Sequence, residues 1–253
     1  MIYDTLPVAL LTSLAVERQG STNGHIARYL LTHEDELDDL TVKGLASACS
    51  VGTGSISRFC REVGFESFGA LKQSILDSRR SFQLVSDAPT FRERADDHAL
   101  QLSTGLARVA GTIDERMLTA LVDDLCSHER VSTYGLLKAQ AAAVDLQVDL
   151  LMLGKVVDTC TSYAEQLDRI ASARRDELVI IFSYTGSYFD EHDLSDRLRR
   201  IDRPCIWMVC GSRRPLPSYV AGCLAFESDG SQLGHPFQLE LAAGLIAQEY
   251  ARR

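Results

Sequence analysis

Apolar and polar positions alternate with a helical period over the first third of the chain. Val42, Leu45, Ala46 and Cys49 stand at i, i+3, i+4 and i+7, and after a short break Ile56, Phe59, Cys60 and Val63 repeat the spacing. Two short amphipathic helices joined by the polar turn Ser50-Val51-Gly52 make a helix-turn-helix. Upstream, Thr5 to Val16 puts Leu6, Leu10, Leu11 and Leu14 on one side of a further helix, and Ser21, Thr22 and Asn23 offer caps for a helix through Ile26, Leu30 and Leu31. Downstream, Phe65, Phe68, Leu71, Ile75 and Leu76 continue as a helix that packs beneath the pair.

With the stripe of the second helix packed inward, a rotation of 100° per residue turns Gly54, Arg58 and Arg61 outward, flanked by Ser55 and Ser57. A small residue near the helix start lets a duplex approach closely, and guanidinium and hydroxyl groups meet phosphates or base edges. The same pattern also suits an ordinary pair of surface helices with a solvated Arg/Ser face. From Leu40 to Arg80 six basic residues (Lys43, Arg58, Arg61, Lys72, Arg79, Arg80) face three acidic ones, whereas the whole chain carries −9. That balance argues against a protein that coats nucleic acid indiscriminately and fits a local basic face on an acidic body.

The run through Ile26-Ala27-x-Tyr29-Leu30-Leu31, the Leu45-Ala46 helix, Ser55 to Phe65 (SISRFCREVGF) and Phe68-x-x-Leu71-Lys72-x-x-Ile75 resembles the N-terminal domain of RpiR-family bacterial transcriptional regulators, roughly from Leu10 to Leu76. The resemblance implies double-stranded DNA as a partner, read at a near-palindromic operator by two copies of the head. Lys43, Thr53, Gly54, Ser55, Ser57, Arg58, Arg61 and Lys72 are the candidate DNA contacts. One departure is Gly52 at the recognition-helix cap, where the family usually has Ser; Gly is a tolerable cap, and Thr53 serves if the helix starts one residue later.

Arg79 to Thr90 loses periodicity, contains Pro89, and reads as a hinge, giving domains 1–78 and 91–253 with a linker over 79–90. Two helices follow from Phe91 to Ser127, broken near Gly111-Thr112. Beyond them the period changes: strands over Arg130–Thr133, Lys155–Asp158, Glu177–Ser183, Pro204–Cys210 and Gly222–Glu227 alternate with helices over Lys138–Leu153, Ser162–Ala173, Asp190–Ile201 and Pro236–Tyr250. Strands that are apolar throughout predict a parallel α/β sheet covered by helices on both faces. The fold class is therefore an all-α helix-turn-helix domain followed by an α/β domain.

Ligands of such sheets sit at the carboxyl ends of the strands. The exit Ser183-Tyr184-Thr185-Gly186-Ser187-Tyr188 offers hydroxyls, a glycine and amides suited to a phosphate, although short Ser/Thr/Gly loops are also common strand exits. This half resembles a sugar isomerase (SIS) domain, the usual partner of the RpiR-type head and a binder of phosphosugars, whose phosphate loop runs S-x-S-G-x-T. Ser183, Thr185 and Gly186 match it, with Thr in place of the second Ser, and Tyr188 stands where Thr is expected. At the first strand exit, usually G-x-G-x-S, the chain has Gly135-Leu136-Leu137-Lys138-Ala139, so a Gly and a Ser are missing. The candidate ligand residues are Gly135, Lys138, Ser183, Thr185, Gly186 and Ser187, for a small-molecule effector of the phosphosugar or related anion type. The alternatives left open are a degenerate SIS domain serving oligomerisation, dimer or tetramer, and a sugar-phosphate isomerase.

An isomerase needs a general base, and Glu191, His192, His235 and Glu240 are available without forming a constellation, so the expectation is a regulator and not an enzyme. Histidines and cysteines show no metal-ligand spacing, and neither metal nor cofactor is expected. Seven scattered cysteines read as reduced core residues, and no apolar run approaches the length of a membrane span or forms a leader. Together these lead to the expectation of a cytoplasmic homo-oligomer that controls sugar or amino-sugar metabolism genes.

Overall fold

The computed structural model describes residues 21–33, 36–63, 65–81, 87–190, 194–199, 202–212, 214–228 and 234–253. The helix expected over Thr5–Val16 lies outside them. The chain divides into two compact units, Met1–Gln83 and Leu84–Arg253.

In the first unit, α1 (Thr22–Thr32), α2 (Val42–Ala48), α3 (Thr53–Glu62) and α4 (Phe68–Ser81) enclose one core. Ile26 and Leu30 of α1, Leu45 of α2, Ile56 and Phe59 of α3, and Leu71 of α4 are fully buried, as the helical spacing demands. Hydroxyl caps start the helices: Gly24 N donates to Ser21 Oγ at 3.0 Å and Gly44 N to Thr41 Oγ1 at 3.1 Å. Gly52 is the cap of α3, with its carbonyl accepting from Ser55 N at 2.9 Å, and Thr53 is the first helical residue rather than the cap. α4 extends through Arg79 and Arg80 to Ser81, so the first residues of the expected hinge are helical.

The turn between α2 and α3 is built on a left-handed residue. Ser50 has φ +55°, Val51 N donates to Ala46 O at 2.9 Å and Ser50 N to Ser47 O at 3.1 Å. This is a Schellman ending, which glycine usually supplies because a Cβ is unfavourable at positive φ.

The second unit begins with α5 (Phe91–Thr112), started by a reciprocal capping box between Thr90 and Glu93, and α6 (Glu115–Ser127). Then come β1 (Arg130–Gly135), α7 (Lys138–Met152), α8 (Tyr163–Ser172), β2 (Glu177–Phe182), β3 (Cys205–Cys210), β4 (Gly222–Ala225) and α9 (His235–Tyr250). The strands are all parallel in the order β1-β2-β3-β4, with Tyr134 beside Ile181 and Ile181 beside Met208. One face packs Ile180, Phe182, Trp207 and Val209 against α5, α6, α7 and α9; the other packs Val179, Ile181, Ile206 and Met208 against α8 and the segments around Tyr188 and Tyr219.

Two expected elements are reduced. Lys155–Asp158 makes a single bridge to β1, with Thr133 N donating to Asp158 O at 2.8 Å and Asp158 N to Val131 O at 2.9 Å. It lies at the sheet edge with only β1 to pair with, and its Val156 faces solvent. Asp190–Ile201 is not a helix among the described residues: one turn remains, closed by Leu198 N to Leu194 O at 2.9 Å. Between Asp190 and Asp202 only Leu194, Leu198 and Ile201 are apolar, and the Asp and Ser side chains compete for backbone groups.

The cysteines are free thiols. Cys60 and Cys210 are buried as expected, while Cys126 is exposed, contrary to the core reading. Cys205 is pushed up to about 12, first by burial and then by the Asp124 carboxylate, which also accepts Trp207 Nε1 at 2.7 Å.

Ser50→Gly is expected to raise the unfolding free energy by about 0.5–1 kcal/mol, because the left-handed conformation no longer carries a Cβ. Urea denaturation followed by circular dichroism measures it, and a loss of stability would refute the strained-turn assignment.

Candidate functional site

The exposed side of α3 is formed as its spacing predicts. Ile56, Phe59 and Cys60 are buried, while Thr53, Gly54, Ser57, Arg58 and Arg61 are exposed and Ser55 is half-buried. Arg61 Nε donates back to Ser57 O at 3.2 Å and Ser57 Oγ to Thr53 O at 3.2 Å, which lays both side chains along the helix. A Cβ on Gly54 would meet no atom within 4 Å. The fold therefore places no steric demand for glycine there, and a helical glycine costs about 1 kcal/mol relative to alanine. Lys43 is exposed in the first turn of α2.

Two groups modify the predicted face. Lys72 is half-buried and its ammonium donates to the carbonyls of Asp38 at 3.0 Å and Leu40 at 3.4 Å, so it secures the turn before α2. Glu62, at the end of α3, accepts from Asn23 Nδ2 at 2.7 Å, a tie from α1 to α3 that local spacing could not show.

The second candidate lies at the carboxyl edge of the sheet. The bridge at Asp158 lies on one side of β1 and β2 on the other, so the chain changes direction across β1, the place in such sheets where ligands bind. Gly135, Lys138, Ser183, Thr185, Gly186 and Ser187 all belong to the exits of these two strands.

At the β1 exit, a Cβ on Gly135 would come 2.5 Å from Ala139 O, so the packing of α7 on β1 requires glycine. Leu137 precedes α7 with φ +53° and ψ −118° and provides no side-chain cap. The backbone here keeps a conformation that suits glycine although a leucine occupies it. Lys138 is exposed at the first position of α7, and Ala139 is buried against the sheet.

At the β2 exit, Ser183 is buried, with its amide donating to Val209 O at 3.0 Å and its carbonyl accepting from Gly186 N at 3.0 Å. Gly186 has φ +75°, and a Cβ on it would lie 2.9 Å from Arg214 Cδ. The Thr185 and Ser187 hydroxyls are 2.5 Å apart, and Ser212 Oγ donates to Thr185 O at 3.0 Å. Arg214, lying over Gly186, holds Asp190 through two bonds of 2.9 and 3.0 Å. Tyr188 does not join the loop's polar surface. It is buried, its hydroxyl donates to Gln166 Oε1 at 2.7 Å, and burial holds its pKa well above the usual range, so it stays neutral. No helix is found over 188–190 or 194–199, the described residues that follow the loop.

Gln166, fully buried on α8, joins the two exits. Its Nε2 lies 3.0 Å from Gly135 O, 2.7 Å from Cys160 O and 3.1 Å from Gln140 Oε1, while its Oε1 accepts from Tyr188. A glutamine on an amphipathic helix gives no sequence signal for this role; neither does Arg214 in an irregular stretch. Of the catalytic candidates, His235 is buried with its ring against Tyr184 at 4.7 Å, and Glu240 faces α7, where burial first and Asp145 second raise its pKa. They do not converge on one point. Glu191 and His192 lie outside the described residues.

With this geometry in view, the two units resolve into a helix-turn-helix head and an α/β domain of the sugar isomerase fold. Residues 11–80 match the family described as the helix-turn-helix domain, rpiR family. An uncharacterized HTH-type transcriptional regulator of Caldanaerobacter subterraneus subsp. tengcongensis is 25% identical over 187 residues, 69% of this chain; the chain thus spans just under two thirds (65%) of that relative's length. The Vibrio vulnificus NanR protein, solved in complex with ManNAc-6P, superposes with a TM-score of 0.54 at 16% identity, covering 98% of this chain and 90% of that one. The sugar isomerase domain of an RpiR transcription factor from Sphaerobacter thermophilus gives 0.51 at 18% identity, covering 63% and 90%. No helix among the described residues is long and apolar enough to cross a membrane.

Leu137→Gly is expected to stabilise the second unit by about 1 kcal/mol, and Gly135→Ala to destabilise it by at least about 1–3 kcal/mol as its methyl meets backbone. Thermal unfolding of the two variants checks both, and the same sign of shift in both would contradict the geometry of the β1 exit.

Proposed function

We propose that this chain is a DNA-binding transcriptional regulator of the RpiR type, acting in the cytoplasm on genes of sugar or amino-sugar metabolism. The observation that carries the reading is Gly54. A glycine with open space around it, in the exposed first turn of α3 beside Arg58 and Arg61, has its reason in a partner that approaches the backbone, and a DNA groove fits that need. Lys43 and the hydroxyls of Thr53, Ser55 and Ser57 complete the face; Lys72 contributes chiefly by fixing the turn before α2.

In this reading two heads dock in successive major grooves of a near-palindromic operator, and a small anion at the sheet edge alters their placement by binding the two arrangements with different affinities. The phosphosugar class is supported by the retained Ser183, Thr185 and left-handed Gly186, and by the ManNAc-6P carried by the similar NanR protein. A second reading, an SIS domain kept for assembly alone, is favoured by the inward Tyr188, whose hydroxyl is bound to Gln166 and not turned to the loop's polar surface. An isomerase would need a general base and its partner groups together; His235 packs on Tyr184 of the loop, while Glu240 faces α7, so these two candidates do not form one constellation.

Arg58→Ala and Arg61→Ala are each expected to weaken operator binding by about 1–3 kcal/mol with the fold intact; relaxed specificity marks a base contact, and a shallower salt slope marks a phosphate contact. Gly54→Ala is expected to separate the two properties, raising stability by about 0.5–1 kcal/mol while weakening DNA binding. Operator titrations at two salt concentrations read these effects, and unchanged affinity in all three variants would remove the DNA face. For the ligand, ManNAc-6P and related phosphosugars are expected to raise the melting temperature of the wild type but not of Ser183→Ala. A panel without any shift would leave the assembly reading.

A further inference from the structure

The loop from Ser183 to Tyr188 carries no charged side chain, and the cation that lies over it is already engaged. A phosphate monoester holds nearly two negative charges near neutral pH, and hydroxyls alone leave that charge uncompensated. Arg214 brings the missing charge to the loop. Its stem crosses Gly186 so closely that a Cβ there would come 2.9 Å from Arg214 Cδ and 3.1 Å from Cγ. The left-handed φ of Gly186, +75°, favours glycine in any case, and the arginine stem adds a second demand for it.

The head of Arg214 is gripped end-on by one carboxylate. Nη1 donates to Asp190 Oδ2 at 2.9 Å and Nη2 to Asp190 Oδ1 at 3.0 Å. Paired N–H groups meeting two oxygens on one centre are also how a guanidinium holds a phosphate. Asp190 is fastened to the same loop, its amide donating to Ser187 O at 3.0 Å. The β3 exit is fastened there too, with Ser212 Oγ donating to Thr185 O at 3.0 Å and Gly211 N to Tyr184 O at 2.9 Å. Both partners are thus built into the strand exits, and they do not resemble two long side chains that meet in open solvent. The two side chains are 38 and 39% exposed, so a solute can reach them.

We propose that Asp190 is an internal stand-in for the effector's phosphate, and that Arg214 exchanges this carboxylate for a phosphate monoester when the effector binds. Both acceptors offer the guanidinium a pair of oxygens. The phosphate adds charge and a further oxygen, for which the Thr185 and Ser187 hydroxyls, 2.5 Å apart in the same loop, are donors. The exchange makes the site selective for charge. A monoanionic sugar acid brings no more charge than the aspartate it displaces and has no oxygen to spare for the hydroxyls. A neutral sugar gains nothing from the arginine. The tethered carboxylate also competes at high effective concentration, which lowers the apparent affinity of any ligand. Binding then changes the contacts of the β2 and β3 exits, because Asp190 is released from Arg214, and a difference in contacts between two states is what an effector needs to shift one against the other.

The proposal deepens the phosphosugar reading and rests on it. Its test is isothermal titration calorimetry of the full chain with ManNAc-6P and, separately, with inorganic phosphate at constant ionic strength. Asp190→Asn is expected to bind both probes about tenfold tighter than wild type, because the competing charge is gone while the side chain keeps its size. Arg214→Gln is expected to bind about tenfold more weakly, and the double variant as weakly as Arg214→Gln, all with circular dichroism spectra that match wild type. ManNAc without its phosphate is expected to gain nothing from Asp190→Asn. Binding by Asp190→Asn but not by wild type would support the exchange in its strongest form, with the stand-in masking the site. Wild-type binding that Asp190→Asn leaves unchanged or weakens would overturn the exchange and leave the phosphosugar reading standing, as would a double variant that keeps the gain. Absence of binding by wild type and Asp190→Asn alike, with both probes, would remove the phosphosugar reading itself and the exchange with it.

Discussion

On β2, Ile180 and Phe182 pack to one side and Val179 and Ile181 to the other, so the strand is apolar on both faces and both faces need cover. A parallel sheet meets that need through the crossover helices α7 and α8, and the terminal helix α9 adds to the cover of one face. The same requirement fixes where polar chemistry can sit. With both faces closed, groups that bind a ligand are left at the ends of the strands, where Gly135 and Ser183 leave the sheet.

Closing those ends creates a second demand, since backbone carbonyls that leave a buried sheet must find donors. The Gln166 amide serves Gly135 O and Cys160 O and takes the Tyr188 hydroxyl, so one buried side chain links both exits. This network also accounts for how Tyr188 departs from the family's phosphate loop. A residue expected at the anion has become a core aromatic whose only polar atom is bound internally. The loop keeps Gly186 in its left-handed turn and the Thr185 and Ser187 hydroxyls in contact.

Two side chains hold conformations that glycine holds more easily: Ser50 in the turn between α2 and α3, and Leu137 at the β1 exit. Both precede a helix whose first turn carries candidate contacts. Conversely, Gly54 occupies an unstrained position open to solvent. Local preferences are thus broken next to the candidate sites, by left-handed Ser50 and Leu137 and by a helical Gly54 that no packing requires.

The helix-turn-helix and the alternation of strands and helices were legible from the periods of apolar residues, because burial of one helix face, or of both strand faces, leaves a direct imprint on residue order. The exposure of Arg58 and Arg61 followed from the same rotation. Lys155–Asp158 and Asp190–Ile201 were over-read: short apolar spacing does not reveal that an edge segment has one neighbour, or that aspartates will divert the backbone. Lys72, a candidate DNA contact by sequence, binds the carbonyls of Asp38 and Leu40 instead, and Gln166 and Arg214 carried no pattern at all. Residue order sets what each short segment can bury. Which polar groups are brought together across distant segments, and which glycine conformations a leucine or serine must adopt, depend on contacts that exist only after the sheet has closed.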